Sequence, residues 1–169
     1  MKTLEAYEQD IKLQPVFLEK FTPQKPISEN QQKNSIFTGS GDSLSSSMLA
    51  ESFSNFQVRS FDPLDLLKNK NLTKNKNVYF VSISGKTISN IKVAKLAKKS
   101  VAITSNAASK LAKTCHHTII LQSPNSDVFT AGSISFLESA LTCISLVTKI
   151  KIPKDPYSIY EKAFQDAKK

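Results

Sequence analysis

The stretch Val78–Thr87, VYFVSISGKT, decides both the fold and the candidate site of this chain. It begins with an apolar run that predicts a buried strand, and the polar SISGKT then breaks this pattern before an amphipathic segment. A strand that turns directly into a helix leaves unpaired N–H groups at the positive end of the helix dipole. The hydroxyls of Ser82, Ser84 and Thr87 surround this turn, and Gly85 lets a ligand approach the backbone closely. The stretch therefore predicts an anion site of the kind that holds a phosphate.

The placement of the glycines supports this interpretation. The chain has only four glycines, and three of them stand where a predicted strand gives way to a helix. Gly39 and Gly41 belong to a second corner of this kind, Gly39–Ser43 (GSGDS), which is also rich in hydroxyls. The alternative is that both turns need a positive φ angle and bind nothing. Because hydroxyls cluster at both corners, we favour the anion site.

Length and composition predict one domain with a substantial core, since the chain has 169 residues and 40% hydrophobic residues. No apolar stretch is long enough to cross a bilayer, and the N-terminus, MKTLEAYEQD, has no apolar signal core. Cys115 and Cys143 are the only cysteines, which is too few for a disulfide framework. These features together predict a reducing, cytoplasmic location.

The net charge of +9 would suit nucleic acid, an anionic membrane or a small anionic substrate. Many of the lysines lie in polar segments, without an arginine cluster or interleaved aromatic residues, so we expect neither a nucleic-acid nor a membrane partner. The sequence Cys115-His116-His117, with Cys143 far away, lacks the spacing of metal ligands. We therefore expect no metal and no cofactor.

Apolar runs alternate with amphipathic segments along most of the chain. Strands are predicted at Ser35–Thr38, Gln57–Phe61, Val78–Ser82, Ser100–Thr104 and Thr118–Leu121. Helices are predicted over 3–21 (one or two), 44–56, 64–67, 86–99, 106–114, 131–149 and 157–168, with a polar connector at 22–34 and a polar loop at 122–127. Apolar strands alternating with helices indicate an α/β fold with a parallel sheet covered on both faces.

Ligands of such sheets bind at the carboxyl ends of the strands. Three hydroxyl-bearing corners, Gly39–Ser43, Ser82–Thr87 and Thr104–Asn106, are predicted to meet at that edge and to form a pocket for a polyhydroxylated anion. His116 and His117 precede the last strand, so we expect them at the opposite, amino edge.

These motifs resemble those of the sugar isomerase (SIS) domain family. Its hallmarks are a glycine-rich corner with Ser or Thr, a Ser-x-Ser-Gly-x-Thr phosphate loop and a strand ending in Thr-x-Asn or Thr-Ser-Asn. Here they read GSGDS at 39–43, SISGKT at 82–87 and AITSN at 102–106. In addition, 11–15 (IKLQP) is similar to the helix before the isomerase half of glucosamine-6-phosphate synthases, and Phe129–Val147 to the long helix that closes one module.

The resemblance implies a five-stranded, doubly wound parallel sheet in a three-layer sandwich that binds a phosphorylated sugar. It places this domain at 35–150, after a helical segment and connector at 1–34 and before a C-terminal helix at 151–169. The implied phosphate-binding residues are Ser82, Ser84, Gly85, Lys86 and Thr87. The implied sugar-binding residues are Gly41, Asp42, Ser43, Thr104 and Ser105.

Isomerases of this family interconvert aldose and ketose phosphates through an enediolate, with a Glu as the usual base. Glu138, in FLESAL, resembles the Glu of hexulose-phosphate isomerases, and Glu51 is the second candidate. The alternative is that Glu138 is a solvated helix carboxylate. We therefore expect an aldose–ketose isomerase, or otherwise a non-catalytic phosphosugar sensor. Because family isomerases build each site between two modules, the resemblance implies a homodimer or homotetramer, with helix 131–149 as a contact.

Overall fold

A computed structural model describes residues 2–122 and 132–168, and these contain a five-stranded sheet. The strands are β1 (Ser35–Thr38), β2 (Arg59–Phe61), β3 (Asn77–Val81), β4 (Lys99–Thr104) and β5 (His117–Ile120). Their order is β2-β1-β3-β4-β5, and every neighbouring pair is parallel. The predicted α/β fold with a five-stranded parallel sheet is thus confirmed.

The helices follow the strands in alternation after an N-terminal helical segment. They are α1 (Lys2–Lys12), α2 (Gln14–Lys20), α3 (Glu29–Lys33), α4 (Asp42–Phe53), α5 (Pro63–Lys68), α6 (Ile88–Ala94), α7 (Lys110–Thr114), α8 (Ser133–Val147) and α9 (Pro156–Ala167). A 3₁₀ turn, Lys70–Thr73, follows α5. Within 2–122 and 132–168, no helix combines the length and the apolar character that a membrane span requires.

The sheet is buried on both faces because its strands are apolar throughout. One face packs against α5, α6 and α7 through Ile36, Val78, Phe80 and Ala102. The other face packs against α4 and α8 through Phe37, Tyr79, Val81 and Ile103. The alternation of side chains along each strand therefore supplies two cores, one on each side of the sheet.

The segment that precedes β1 is hydrogen-bonded along α8. Asp10 of α1 is buried, and its Oδ2 accepts hydrogen bonds from the Ser133 hydroxyl (2.6 Å) and the Ile134 amide (3.0 Å) at the start of α8. At the other end of α8, the buried Gln32 donates from Nε2 to the carbonyl of Val147 at 2.8 Å. These bonds join parts of the chain that are more than 110 residues apart, and they cover α8 with the N-terminal segment.

The predicted connector at 22–34 contains a helix that the sequence analysis missed. Ser28 caps α3: its hydroxyl accepts from the amide of Gln31 at 3.4 Å, while Gln31 Oε1 accepts from the amide of Ser28 at 3.0 Å. This Ser-x-x-Gln pattern is a capping box, a helix-start signal that the two nearby prolines obscured.

Two predicted helices are shorter than expected because local hydrogen bonds hold their ends in turns. In the predicted helix 106–114, Asn106 Oδ1 accepts from the amide of Ala108 at 3.0 Å. The Ser109 hydroxyl then caps α7, so the helix begins only at Lys110. The predicted helix 86–99 is reduced to α6, because the chain turns after Ala94 and begins β4 at Lys99. The predicted loop beyond Gln122, Phe129 and Ala131 lie outside the described residues.

The long helix α8 does not offer the free surface that was expected for a subunit contact. It packs against α1, α2 and α4, and most of its side chains from Glu138 to Val147 are buried. Phe136 is its one exposed side chain among the described residues. The N-terminal segment occupies this surface within the same chain, which corrects the expectation that α8 would contact a second subunit.

Candidate functional site

The strand order creates a crevice at the carboxyl ends of β1 and β3. From β1 the chain passes through α4 to β2 on one side, and from β3 it passes through α6 to β4 on the other. The two connecting helices cover opposite faces of the sheet. Such a switch point is where open α/β sheets bind ligands. Because Thr38 pairs with Phe80, the corners that follow β1 and β3 lie side by side, at about the 4.8 Å strand spacing.

The corner after β3, which we call the phosphate loop (Ser82–Thr87), combines free donors with hydroxyls. Ser84 and Lys86 are exposed, and Thr87 is half-buried. Within the described part of the chain, the amides of Ser84 and Thr87 have no hydrogen-bond acceptor. The amide of Lys86 donates to the Ser84 hydroxyl at 3.3 Å, which turns this hydroxyl toward the same loop. Two amides and two hydroxyls are thus available to an anion.

Ser82 differs from the other hydroxyl residues of the loop. Its side chain is buried, and its amide donates to the carbonyl of Ile103 at 3.0 Å as a continuation of the sheet. Its hydroxyl lies 3.1 Å from the hydroxyl of Thr87. The expectation that the Ser82 amide faces a ligand is therefore corrected, because β4 already uses this amide. Ser82 instead orients Thr87.

Thr104 and Ser105 hold the phosphate loop in place. Both hydroxyls donate to the carbonyl of Ile83, at 2.9 and 2.8 Å, and the amide of Ser105 donates to the same oxygen at 3.0 Å. Thr104 is fully buried, so its side chain supports the loop from below and is not open to a sugar. Ser105 is exposed and keeps access to the crevice.

Gly85 is the residue that lets the loop lie so close to its support. Its φ angle is +62°, a conformation that side chains disfavour. A Cβ atom at this position would meet Ser109 Oγ at 2.2 Å and Ser109 Cβ at 2.4 Å. Ser109 thus belongs to the support of the loop, although the sequence analysis did not name it. Its position three residues after Asn106, at the start of a helix, was the signal available.

The corner after β1 presents the N-terminus of α4 to the same crevice. Gly41 precedes the helix with φ +59° and ψ −130°, and it forms no side-chain cap. Among residues 2–122 and 132–168, the amides of Asp42 and Ser43 find no acceptor. These amides and the dipole of a twelve-residue helix favour an anion, whereas the exposed Asp42 carboxylate favours a hydroxyl or a cation. The structure therefore brings Gly41, Asp42 and Ser43 to the crevice.

Glu138 lies on the carboxyl side of the sheet but in a different cavity. It is 4% exposed in α8, and its Oε1 accepts from the amide of Gln122 at 2.5 Å. The cavity that it lines has a volume of about 470 Å³ and lies between α2 and α8. Of the described residues that line this cavity, none belongs to either corner. Glu138 is thus a buried carboxylate and not the solvated one that was the alternative.

The structure does not bring Glu51 to the crevice. This residue lies in the last turn of α4, and its Oε1 is 2.7 Å from Nε of Arg59 at the start of β2. The hydroxyl of Ser60 donates to its other carboxylate oxygen. Because the helix runs antiparallel to the strands, its last turn lies at the amino edge. Within one chain, Glu51 therefore joins α4 to β2 and does not contact a ligand at the corners.

The histidines lie at the amino edge of the sheet, as the chain order predicts. His117 begins β5 opposite Val101, and His116 Nδ1 lies 2.7 Å from the hydroxyl of the buried Ser100. Burial raises the pKa of the neighbouring Cys115 thiol to about 11, although a hydrogen bond to Ser100 lowers it. This thiol is therefore protonated at neutral pH. In the residues that the structure describes, no group of three or more His, Cys, Asp or Glu side chains could hold a metal ion.

Comparison with known proteins shows a shared fold at low sequence identity. No protein-family model matches the sequence, and no curated protein matches it either. Solved structures do match. The E. coli CFT073 protein c3406, solved in complex with a sugar phosphate, has a TM-score of 0.60 at 16% identity, over 94% of this chain and 95% of its own.

Two further structures have the same fold. A Listeria monocytogenes protein, described as a candidate sugar-phosphate isomerase, has a TM-score of 0.55 at 14% identity, over 85% of this chain and 87% of its own. The Vibrio vulnificus NanR protein, complexed with ManNAc-6P, has a TM-score of 0.56 at 15% identity, over 98% of this chain and 67% of its own. The fold expected from the resemblance to the sugar isomerase family is thereby confirmed.

Proposed function

We propose that this chain binds the phosphoryl group of a phosphorylated sugar in the crevice between the β1 and β3 corners. The observation that carries the proposal is the phosphate loop, where the amides and hydroxyls of Ser84 and Thr87 remain available beside the exposed Lys86. Asp42 and Ser43 face the same crevice from α4 and are assigned to the sugar. Ser105 is assigned to its other side, and Ser82, Gly85 and Thr104 shape the loop.

The comparisons support this assignment by analogy. Two proteins of the same fold were solved with sugar phosphates, ManNAc-6P in the case of NanR, and a third is described as a candidate sugar-phosphate isomerase. The net charge of +9 also favours an anionic ligand over a neutral one. The two cysteines of the chain are free, which agrees with the cytoplasmic location that we continue to propose.

Replacing Ser84 with alanine is expected to weaken sugar-phosphate binding about tenfold, because a hydrogen bond to a charged group contributes about 1.5–3 kcal/mol. Calorimetric titration with fructose-6-phosphate measures the loss, and fructose itself should not bind. Ser52→Ala, on the exposed end of α4, is the matched control and should bind as the parent does. Equal affinities for fructose and its phosphate would contradict the phosphate site.

Aldose–ketose isomerisation at this site is the second candidate function. A base must reach the carbon atoms between which the proton moves. The observation that favours it is the carboxylate of Glu138, which the amide of Gln122 fixes on the carboxyl side of the sheet. Because Glu138 lines the separate α2–α8 cavity, a substrate would have to extend from the crevice into this cavity. A binding role without catalysis needs no such extension, so the geometry supports binding best.

Glu138→Gln separates the two functions. If Glu138 is the base, the variant should lose at least 100-fold in turnover and still bind sugar phosphates, since proton transfer contributes about 10²–10⁴-fold. NMR spectra of fructose-6-phosphate, glucosamine-6-phosphate and hexulose-6-phosphate incubated with each protein report conversion directly. Binding without conversion by the parent, unchanged in the variant, would identify a sensor.

Self-association is part of the isomerase proposal, since sites of the resembled family lie between two modules. We expect a homodimer or homotetramer by light scattering at micromolar concentration. The surface would differ from α8, which the N-terminal segment covers. A strict monomer that turned over substrate would contradict a site shared between copies.

A further inference from the structure

The cavity between α2 and α8 is a feature that the phosphosugar site does not explain. Its volume is about 470 Å³, whereas protein interiors are normally packed with few voids larger than a water molecule. This volume falls in the range of small-molecule pockets, roughly 300–1,000 Å³. The cavity opens beside the end of β5, on the edge strand of the sheet.

One wall of the cavity is an apolar stripe on α2 and the residue after it. Leu13, Val16, Phe17 and Phe21 follow the i, i+3, i+4, i+8 spacing of one helix face, and all four line the cavity. Leu13 remains 41% exposed, and Ile120 at the end of β5 remains 42% exposed. This face of α2 therefore borders a space that is open to an apolar ligand.

The opposite wall is polar and comes from α8. Glu138 and Thr142 are one helical turn apart, are 4% and 2% exposed, and both line the cavity. The Thr142 hydroxyl forms no hydrogen bond with any residue that the structure describes. The Glu138 carboxylate accepts from Gln122, and a carboxylate has about four acceptor sites and no donor when ionised. A ligand group on this wall must therefore donate hydrogen bonds.

We propose that the cavity binds a small molecule with an apolar body and a primary ammonium group. The body lies along the α2 stripe, and the ammonium donates to the Glu138 carboxylate and the Thr142 hydroxyl. Charge-assisted hydrogen bonds of this kind are about twice as strong as neutral ones. The exposed Lys20 lies at the mouth, where solvent screens its charge. This site is separate from the phosphate loop and does not depend on the proposed function.

The test uses the full chain without any sugar phosphate, with 2-phenylethylamine as the probe. We expect saturable NMR shifts at the methyl groups of Val16 and Ile120 at millimolar amine, without shifts at the amides of Ser84 and Gly85. The anion 3-phenylpropanoate has a similar apolar body and is not expected to bind. Equal binding of the two compounds, or shifts confined to the phosphate loop, would overturn the proposal.

Substitutions locate the ammonium group. Glu138→Gln should weaken amine binding at least tenfold, and Thr142→Val should weaken it several-fold. Glu19→Gln removes the same charge from the exposed side of α2 and should leave binding unchanged. Circular dichroism checks that each variant is folded, and Thr142→Val with the two probes decides the question if Glu138→Gln is not. Retained fructose-6-phosphate binding alongside a failed amine titration would overturn this inference alone.

Discussion

Gly85→Ala is expected to abolish detectable sugar-phosphate binding and to lower the free energy of unfolding by about 2–4 kcal/mol, from backbone strain and overpacking together. The φ angle of +62° is unfavourable for alanine, and the new methyl group would lie 2.2 Å from Ser109 Oγ. Ser109 caps α7, so it cannot move away without loosening that helix. The phosphate loop must therefore shift, and its free amides shift with it. Chemical denaturation and titration with fructose-6-phosphate measure the two effects.

Gly41→Ala is the matched control for this prediction. Gly41 also has a positive φ angle, +59°, but no atom lies within 4 Å of a Cβ built there. Its replacement should cost only the backbone strain, about 1–2 kcal/mol. A Gly85→Ala protein as stable as Gly41→Ala, with parental affinity for fructose-6-phosphate, would show that the close contact with Ser109 does not shape the loop.

Asp10→Ala is expected to lower the free energy of unfolding by about 2 kcal/mol, near the upper end of the effects of helix caps. The substitution leaves the buried amide of Ile134 and the Ser133 hydroxyl without their acceptor at the start of α8. An unsatisfied buried donor costs about 1–3 kcal/mol. Because the bond spans 124 residues, its loss should also release α1 from α8. Hydrogen exchange of the α1 amides measures this release beside chemical denaturation.

Asp155→Ala provides the comparison for Asp10. The Asp155 carboxylate caps α9 by accepting from the amide of Ser158 at 2.9 Å, but this cap is exposed. Water can replace an exposed acceptor, so we expect a loss of about 0.5–1 kcal/mol. If both substitutions cost the same, the burial of Asp10 would not contribute to the stability of the α1–α8 contact.

The backbone order of the fold was accessible from local patterns. The predicted strand Ser35–Thr38 matches β1 in both bounds, because four consecutive apolar or hydroxyl residues end at a glycine corner. The helix ends were harder, since the Asn106 turn and the Ser109 cap compete with helical hydrogen bonds through single side-chain contacts. The α3 helix depended on one such contact at Ser28. Patterns of hydrophobicity do not report these individual bonds.

The candidate site could be predicted only as far as its chain segments. That Ser84 and Thr87 would lie at a strand-to-helix turn followed from residue order. Which hydroxyls would be consumed by the fold did not follow, because Thr104 contacts Ile83 across 21 residues. Glu51 and Glu138 look alike as carboxylates on helices, yet one pairs with Arg59 and the other lines a cavity. Their surroundings come from elements distant in sequence.

By itself, the sequence determined that hydrophobic strands alternate with helices, and hence that hydroxyl-rich turns gather at one edge of a parallel sheet. Only the tertiary structure decided which amides at that edge stay unpaired and that α2 leaves a cavity against α8. The physical reason is range. Periodicity and turn chemistry act between neighbours in the chain, whereas the pairing of a buried amide or carboxylate depends on whichever distant segment packs against it.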